Sequence, residues 1–379
     1  MPTTSDSNPV AQGRCANGAA ACRSLRRRLM VALAAVLFAM LVNAVAGFAL
    51  GAYGTLSGVA WRDFRAAERL DCVVVGSSYA QRGIDPNVLD ARLGTSTVSL
   101  ATPGQTLSDS FEATRAAIDE KGARRIILGL GVESLSTGDD VASRASFAMA
   151  RNDGDPLGLS KAMLRLALSP SALGGRASLD LLSPWVFTPV KTPSAIADNL
   201  RARLTGEDIA LSAERTTPDW RYLGRGYGNH ERTLEADDSR TSVGVYGHPQ
   251  ARRECLRQLR RICELCRARN VQLVVVATPH PAFDLRSFGG SYVQVMGQAA
   301  EVVRDSGALF MDFNIIRPEL MSLEADDYGD FEHLNFGGAE KFSTVLAREL
   351  RALDEGEGVE ADFESYDNWD ACLERRPQV

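Results

Sequence analysis

Apolar runs of strand length alternate with amphipathic stretches over residues 71–131 and again over residues 250–353. The first run is Cys72-Val73-Val74-Val75, closed by Gly76-Ser77-Ser78. A short β-branched run bounded by turn formers predicts a strand buried on both faces. A short loop follows the turn. Asp85 then suits a helix N-cap, and Pro86 suits the first helical position, where its missing N–H costs nothing. Residues 87–93 are predicted as a short helix, 96–101 as a second strand, and Thr102-Pro103-Gly104-Gln105 as a turn. Residues 107–121 carry apolar positions at helical spacing and stop at Gly122. Residues 125–131 are a third buried strand. This strand–helix–strand–helix–strand order implies a parallel sheet with right-handed crossovers.

The same rhythm returns near the C-terminus. A long basic helix is expected over 250–269, strands over 271–277 and 308–313, and helices over 292–306 and 338–353. The last helix carries Phe342, Val345, Leu346, Leu350 and Leu353 on one side. The fold class is therefore α/β, a three-layer sandwich around a five-stranded, flavodoxin-like parallel sheet. Residues 132–247 interrupt it with Pro156, Pro170, Pro184, Pro189, Pro193 and Pro218. Helical pieces are expected there over 160–168 and 195–204, and residues 222–246 are rich in glycine and charge. This insertion is expected to pack over the carboxyl edge of the sheet, part lid and part loop, and to set substrate choice.

Residues 29–53 are nearly all apolar, with Asn43 the main exception. About 20 apolar residues span a bilayer. Arg23, Arg26, Arg27 and Arg28 precede the run and would stay in the cytoplasm, leaving the body outside. The expected organisation is a disordered cytoplasmic tail over 1–28, a single-pass signal anchor over 29–53, and an α/β domain over 54–353. The domain begins with a connector helix carrying Trp61, Phe64 and Leu70. An acidic, solvated extension follows over 354–379. A second reading is a signal peptide cut after Ala46, since Ala44-Val45-Ala46 has the small-x-small form.

Charge sharpens this division. The net charge is −6; residues 1–53 hold five arginines and one aspartate, so the remainder carries −10. An acidic body does not suggest a nucleic-acid binder. Of seven cysteines, five follow the apolar run, an odd number without the spacing of a disulfide scaffold. Cys263-x-x-Cys266 has no second cysteine pair or histidine at zinc spacing, so packing is expected of it. No metal and no cofactor are predicted.

A small polar residue at the carboxyl end of an apolar strand is where open α/β sheets place their chemistry, which points to Ser78. A serine nucleophile needs a base, and the base needs an orienting carboxylate. The chain has four histidines: His230, His248, His280 and His333. His333 follows Asp330 by three residues, a spacing that puts both side chains on one face of a helical turn. Glu332 would point elsewhere, and Asp326 and Asp327 suit capping or solvent. His280, after the fourth strand, is a candidate pocket residue. Arg82 and Gln105 are candidates to hold a substrate carboxylate or sugar hydroxyl. His230 and His248 read as surface residues of the insertion.

With these residues in hand, the chain resembles the SGNH (GDSL-type) hydrolases, and more narrowly their membrane-anchored subgroup. That subgroup includes alginate O-acetylation proteins and the D-alanine transfer protein of teichoic acids. Gly76-Ser77-Ser78 is similar to the first family block, Thr102-Pro103-Gly104 to the second, and Asp330-Phe331-Glu332-His333 to the last. The resemblance covers residues 71–131 and 271–350. It implies a Ser78–His333–Asp330 triad, with the N–H groups of Ser78 and Gly104 forming the oxyanion hole. The third block normally offers Gly-x-Asn-Asp, but Gly129-Leu130-Gly131-Val132-Glu133 has no asparagine. One lost oxyanion donor costs about 10²–10³ in rate, which suits slow, dedicated acyl transfer. The implied substrate is an acylated glycan or cell-envelope polymer outside the cytoplasm, and the implied partner an integral-membrane O-acyltransferase. Alternatives are a secreted carbohydrate esterase and a non-catalytic glycan-binding or assembly protein that keeps the fold.

Overall fold

The computed structural model describes residues 10–170, 179–187, 190–206 and 219–377, with side chains from Ser24 onward. Seven strands are described: β1 (Cys72–Gly76), β2 (Thr97–Ser99), β3 (Arg125–Leu130), β4 (Trp220–Gly224), β5 (Tyr227–His230), β6 (Gln272–Ala277) and β7 (Leu309–Asp312). Five of them form one parallel sheet in the order β2-β1-β3-β6-β7. That is the flavodoxin-like order, with its switch point between β1 and β3. β4 and β5 form a separate antiparallel hairpin within the insertion.

The sheet is covered on both faces, which is why β1 reads as an unbroken apolar run rather than an alternating one. Val73 and Val75 face a layer holding Leu107, Leu259, Ile262, Val295 and Val303. Val74 faces the opposite layer, with Leu89, Phe342, Leu346 and Leu350. The predicted boundaries hold closely. Pro86–Leu93 starts with Asp85 capping the Asn87 N–H, and Leu107–Lys121 ends on Gly122. Cys255, Cys263 and Cys266 are buried on the Arg253–Ala268 helix, and burial pushes the Cys266 thiol up to about 12.

Four expectations need correction. Residues 1–9 lie outside the described residues, but the stretch expected to be disordered is helical from Val10, in one helix Val10–Leu50. Its segment Ser24–Leu50 is long and apolar enough to cross a membrane. The loop expected after Ser78 is a short helix, Ser78–Gly83. The acidic extension is not free in solvent. Trp369 stacks on Tyr292 at 4.6 Å, Tyr366 donates to Asp312 at 2.7 Å, and Glu364 N donates to Ile315 O at 2.7 Å. A few apolar side chains dispersed among charges are enough to dock it. His230 is buried in β5 beside Asp219, at 3.3 Å, rather than on the surface.

The insertion is more structured than its prolines suggest. It includes helices Val132–Ser136, Val141–Arg151, Pro156–Ala167, Pro193–Thr205 and Ser242–Tyr246 beside the hairpin. Pro156 and Pro193 occupy first-turn positions, where proline starts helices rather than breaking them. Its first and last parts reach the carboxyl edge of the sheet; its middle packs against the N-terminal helix.

Two glycines let the Ser78–Gly83 helix lie directly on the strand ends. Gly76 has φ +140°, and a Cβ there would overlap the Gly129 carbonyl. A Cβ on Gly129 would overlap the Ala80 methyl. Gly129→Ala is therefore expected to destabilise the protein by about 1–3 kcal/mol, the usual cost of overpacking, and to push the Ser78 helix off the sheet. Urea unfolding of the purified full chain measures the first effect.

Candidate active site

Ser78 is the first residue of its helix, so no helical carbonyl lies upstream to accept its N–H. Its Oγ lies 2.8 Å from His333 Nε2. His333 Nδ1 lies 2.9 Å from Asp330 Oδ1. The three side chains come from the ends of β1 and of the segment after β7, at one edge of the sheet. Gly104, with φ +67°, lines the same cleft as Ser78.

Asp330 and His333 do not share a helical turn, as the spacing had suggested. They lie in a loop closed by the Tyr328–Leu334 bridge and by Gly329 N donating to His333 O at 2.9 Å. Asp330 Oδ1 accepts the backbone N–H groups of Glu332 (3.1 Å) and His333 (2.9 Å), and this folds the chain back on itself. An Asx-type turn thus delivers the contact that a helix would have.

Burial alone would raise the Asp330 carboxyl. The hydrogen bond and charge of His333 and the charge of Arg82 outweigh it and hold the group well below the usual carboxylate range. Arg82 donates to Asp330 Oδ2 at 2.7 Å, and Arg232 of the insertion lies 3.8 Å from the same oxygen. Arg82 is thus committed to the orienting carboxylate rather than free for a substrate. Gln105 lines the cleft, but its amide is occupied by Thr102 (3.0 Å) and Ser110 (3.1 Å). His280 is buried and pairs with Asp284 at 2.9 Å, behind the cleft rather than in it. Burial disfavours its charged form, but the Asp284 hydrogen bond and charge carry its pKa above the ordinary histidine value.

Sequence reasoning missed Tyr79 and Asn229, named Glu133 only as part of a third block without asparagine, and expected Glu332 to point elsewhere, whereas Glu332 lines the cleft with Oε1 3.8 Å from His333 Nδ1. The Tyr79 ring lies between two histidines, 5.1 Å from His333 and 4.9 Å from His280. Its hydroxyl donates to Glu332 at 2.9 Å, which turns Glu332 into the cleft. Glu133 stands in the third-block region. Burial pushes its carboxyl up, and Oε2 has no hydrogen-bond partner among the described residues. Asn229 of the hairpin donates to the carbonyls of Arg82 (2.8 Å) and Leu334 (3.2 Å), tying the Ser78 helix to the Asp330–His333 loop. No local signal marks Tyr79 or Asn229, and adjacency to His333 misled for Glu332 because the loop is not helical.

A cleft of about 270 Å³ opens beside Ser78, walled on one side by Ser143 and Tyr246 of the insertion. No group of three or more metal-ligating side chains is found among the described residues. This chain is similar in fold to GDSL-like lipases and acylhydrolases of known structure. A GDSL-like lipase of Bacteroides thetaiotaomicron matches 79% of the chain over 98% of its own length, at 8% identity and a TM-score of 0.35. A lipase/acylhydrolase from Enterococcus faecalis matches 75% of the chain over 97% of its own, at 9% identity and a TM-score of 0.35. No family model and no curated protein sequence matches the chain.

A carboxylate whose pKa is depressed by folding adds stability above its unfolded value, near 4, and loses it as pH falls toward its folded value. Asp330→Asn is therefore expected to cost about 1–3 kcal/mol at pH 7, and the gap from wild type to narrow at pH 3. Thermal unfolding of both proteins at the two pH values measures this.

Proposed function

We propose that this protein is a membrane-anchored serine acyl hydrolase or acyltransferase. The observation that carries the reading is the chain of 2.8 and 2.9 Å contacts from Ser78 through His333 to Asp330, beside an open cleft. In the first half-reaction Ser78 Oγ attacks an ester or thioester carbonyl while His333 Nε2 takes its proton. Asp330 holds the opposite ring nitrogen and fixes the tautomer. The oxyanion is stabilised by the N–H groups of Ser78 and Gly104. Collapse expels the alkoxide or thiolate, which takes the proton from His333 and leaves an acyl-serine. In the second half-reaction His333 activates water or an acceptor hydroxyl.

The cleft's chemistry supports a neutral or cationic substrate. Glu133, Asp139, Asp140, Glu254 and Glu332 line it, with no lysine or arginine among the described lining residues. Walls of one sign repel ligands of that sign. A glycan hydroxyl as acceptor agrees with such a surface. An extracytoplasmic glycan or cell-envelope polymer as substrate, and an integral-membrane O-acyltransferase as donor partner, come from the sequence resemblance. The anchor reading is supported by the apolar helix Ser24–Leu50 and the arginines before it.

A fluorophosphonate probe on the full chain in detergent tests the nucleophile. Wild type is expected to label, Ser78→Ala not at all, and His333→Ala about 10²–10⁴ more slowly. Equal labelling of wild type and Ser78→Ala would sink the assignment. Acidic walls further predict that an ester with an anionic acyl group turns over at least about tenfold more slowly than its neutral analogue. The Asp139→Asn variant is expected to narrow that ratio, measured as kcat/KM.

A further inference from the structure

Two contacts aim the edge of the His333 ring. Nε2 lies 2.8 Å from Ser78 Oγ, and Nδ1 lies 2.9 Å from Asp330 Oδ1. Both lie at the ring's edge, so they leave it free to rock about the line that joins them. A flat neighbour removes that freedom. The Tyr79 ring lies 5.1 Å from His333 at an interplanar angle of 24°, within the range of offset stacking. Tyr79 is itself buried and packs on the His280 ring at 4.9 Å. His280 is fixed by Asp284 at 2.9 Å, and Asp284 accepts the N–H and the hydroxyl of Ser242 at 2.6 and 2.8 Å.

Charge gives Tyr79 a second task. Attack by Ser78 moves its Oγ proton to His333 Nε2, and the ring becomes a cation. Asp330 faces that cation, but its charge is shared. Arg82 donates to Oδ2 at 2.7 Å, and Arg232 lies 3.8 Å from the same oxygen. One anion therefore stands against two cations before the imidazolium forms. Glu332 restores the balance. Its Oε1 lies 3.8 Å from His333 Nδ1, and its Oε2 accepts the Tyr79 hydroxyl at 2.9 Å. Burial and the nearby glutamates push the Tyr79 phenol well above its ordinary value, so it stays a donor.

The other ionisable groups near the ring are paired or neutral. Glu133, after β3, also faces the Tyr79 hydroxyl, and burial pushes its carboxyl up toward the neutral form. The Tyr246 hydroxyl of the insertion lies 3.5 Å from Glu332 Oε1. His280 pairs with Asp284, His230 with Asp219 and Arg240 with Asp238.

We propose that Tyr79 and Glu332 are positioning residues for His333: the Tyr79 ring sets the plane of the imidazole, and its hydroxyl holds the Glu332 carboxylate where it balances the imidazolium. Both act through His333. The proposal rests on the Ser78–His333–Asp330 reading above.

The test uses the full chain in detergent, with carbon-13 at histidine Cε1. The chain has four histidines, and His333→Gln identifies the signal of interest. An NMR titration then reads the His333 midpoint directly. Glu332→Gln keeps the size of the side chain and an acceptor oxygen but removes the charge. It is expected to lower the midpoint by about one pH unit, a tenfold loss of proton affinity. Tyr79→Phe keeps the ring and releases Glu332, and is expected to lower the midpoint by about half as much. Fluorophosphonate labelling at pH 9 is expected to be about three- to tenfold slower in Glu332→Gln than in wild type. Tyr79→Leu removes the flat face as well, and is expected to label at least about tenfold more slowly than Tyr79→Phe. Thermal unfolding checks that each variant is folded; the near-isosteric Glu332→Gln and Tyr79→Phe carry the test if Tyr79→Leu is not. An unchanged midpoint in Glu332→Gln would overturn the counter-charge. Equal labelling of folded Tyr79→Leu and Tyr79→Phe would overturn the plane-setting role. A wild type that does not label, with the midpoint shift in Glu332→Gln intact, would overturn the acyl-serine reading and leave the Glu332–His333 pairing standing.

Discussion

The Asp330 carboxylate is the interaction on which the site depends. A half-buried anion is tolerated only when donors surround it, and here they come from three parts of the chain. His333 and two backbone N–H groups belong to its own loop, Arg82 to the helix after β1, and Arg232 to the insertion. The same contacts aim the imidazole at Ser78 and pin the loop against the Ser78–Gly83 helix. Orientation of the His333 ring and assembly of the two halves of the domain are thus one electrostatic fact.

That arrangement needs the Ser78–Gly83 helix to lie very close to the strand ends. Gly76 and Gly129 provide the space, and Asn229 adds a clamp by binding one carbonyl from that helix and one from the Asp330–His333 loop. Parallel topology does the rest. In an open α/β sheet every strand ends at the same edge, so residues 255 positions apart meet there. The insertion serves two surfaces at once. Its ends wall the cleft and supply Arg232, while its middle holds the N-terminal helix through Asn43 and Asn199.

Much of this was legible before any coordinates. Strands β1, β3, β6 and β7 announce themselves as short apolar runs because both faces of the sheet are covered, and Asp85-Pro86 and Gly122 mark helix ends by their backbone chemistry. Spacing brought Asp330 and His333 together for the wrong reason. The loop achieves with an Asx-type turn what a helix would achieve with its pitch. Arg82, Gln105 and His280 were placed at the right edge, but their side chains are occupied by Asp330, by Thr102 and Ser110, and by Asp284. Adjacency to a turn says where a residue is, not which partner claims it.

Local pattern by itself determined the α/β class, the order of its strands along the chain, the apolar N-terminal helix and the serine, histidine and aspartate worth pairing. Those features follow from periodicity, capping and composition, all of which act over a few residues. Only the tertiary structure decided that Glu133 and Glu332 face the cleft, that Asn229 ties its walls, that the acidic C-terminal segment docks, and that Asn43 meets Trp185. Each of these is a contact between residues far apart in the chain. Its energy comes from desolvation and hydrogen bonding in an environment that exists only once the chain has folded.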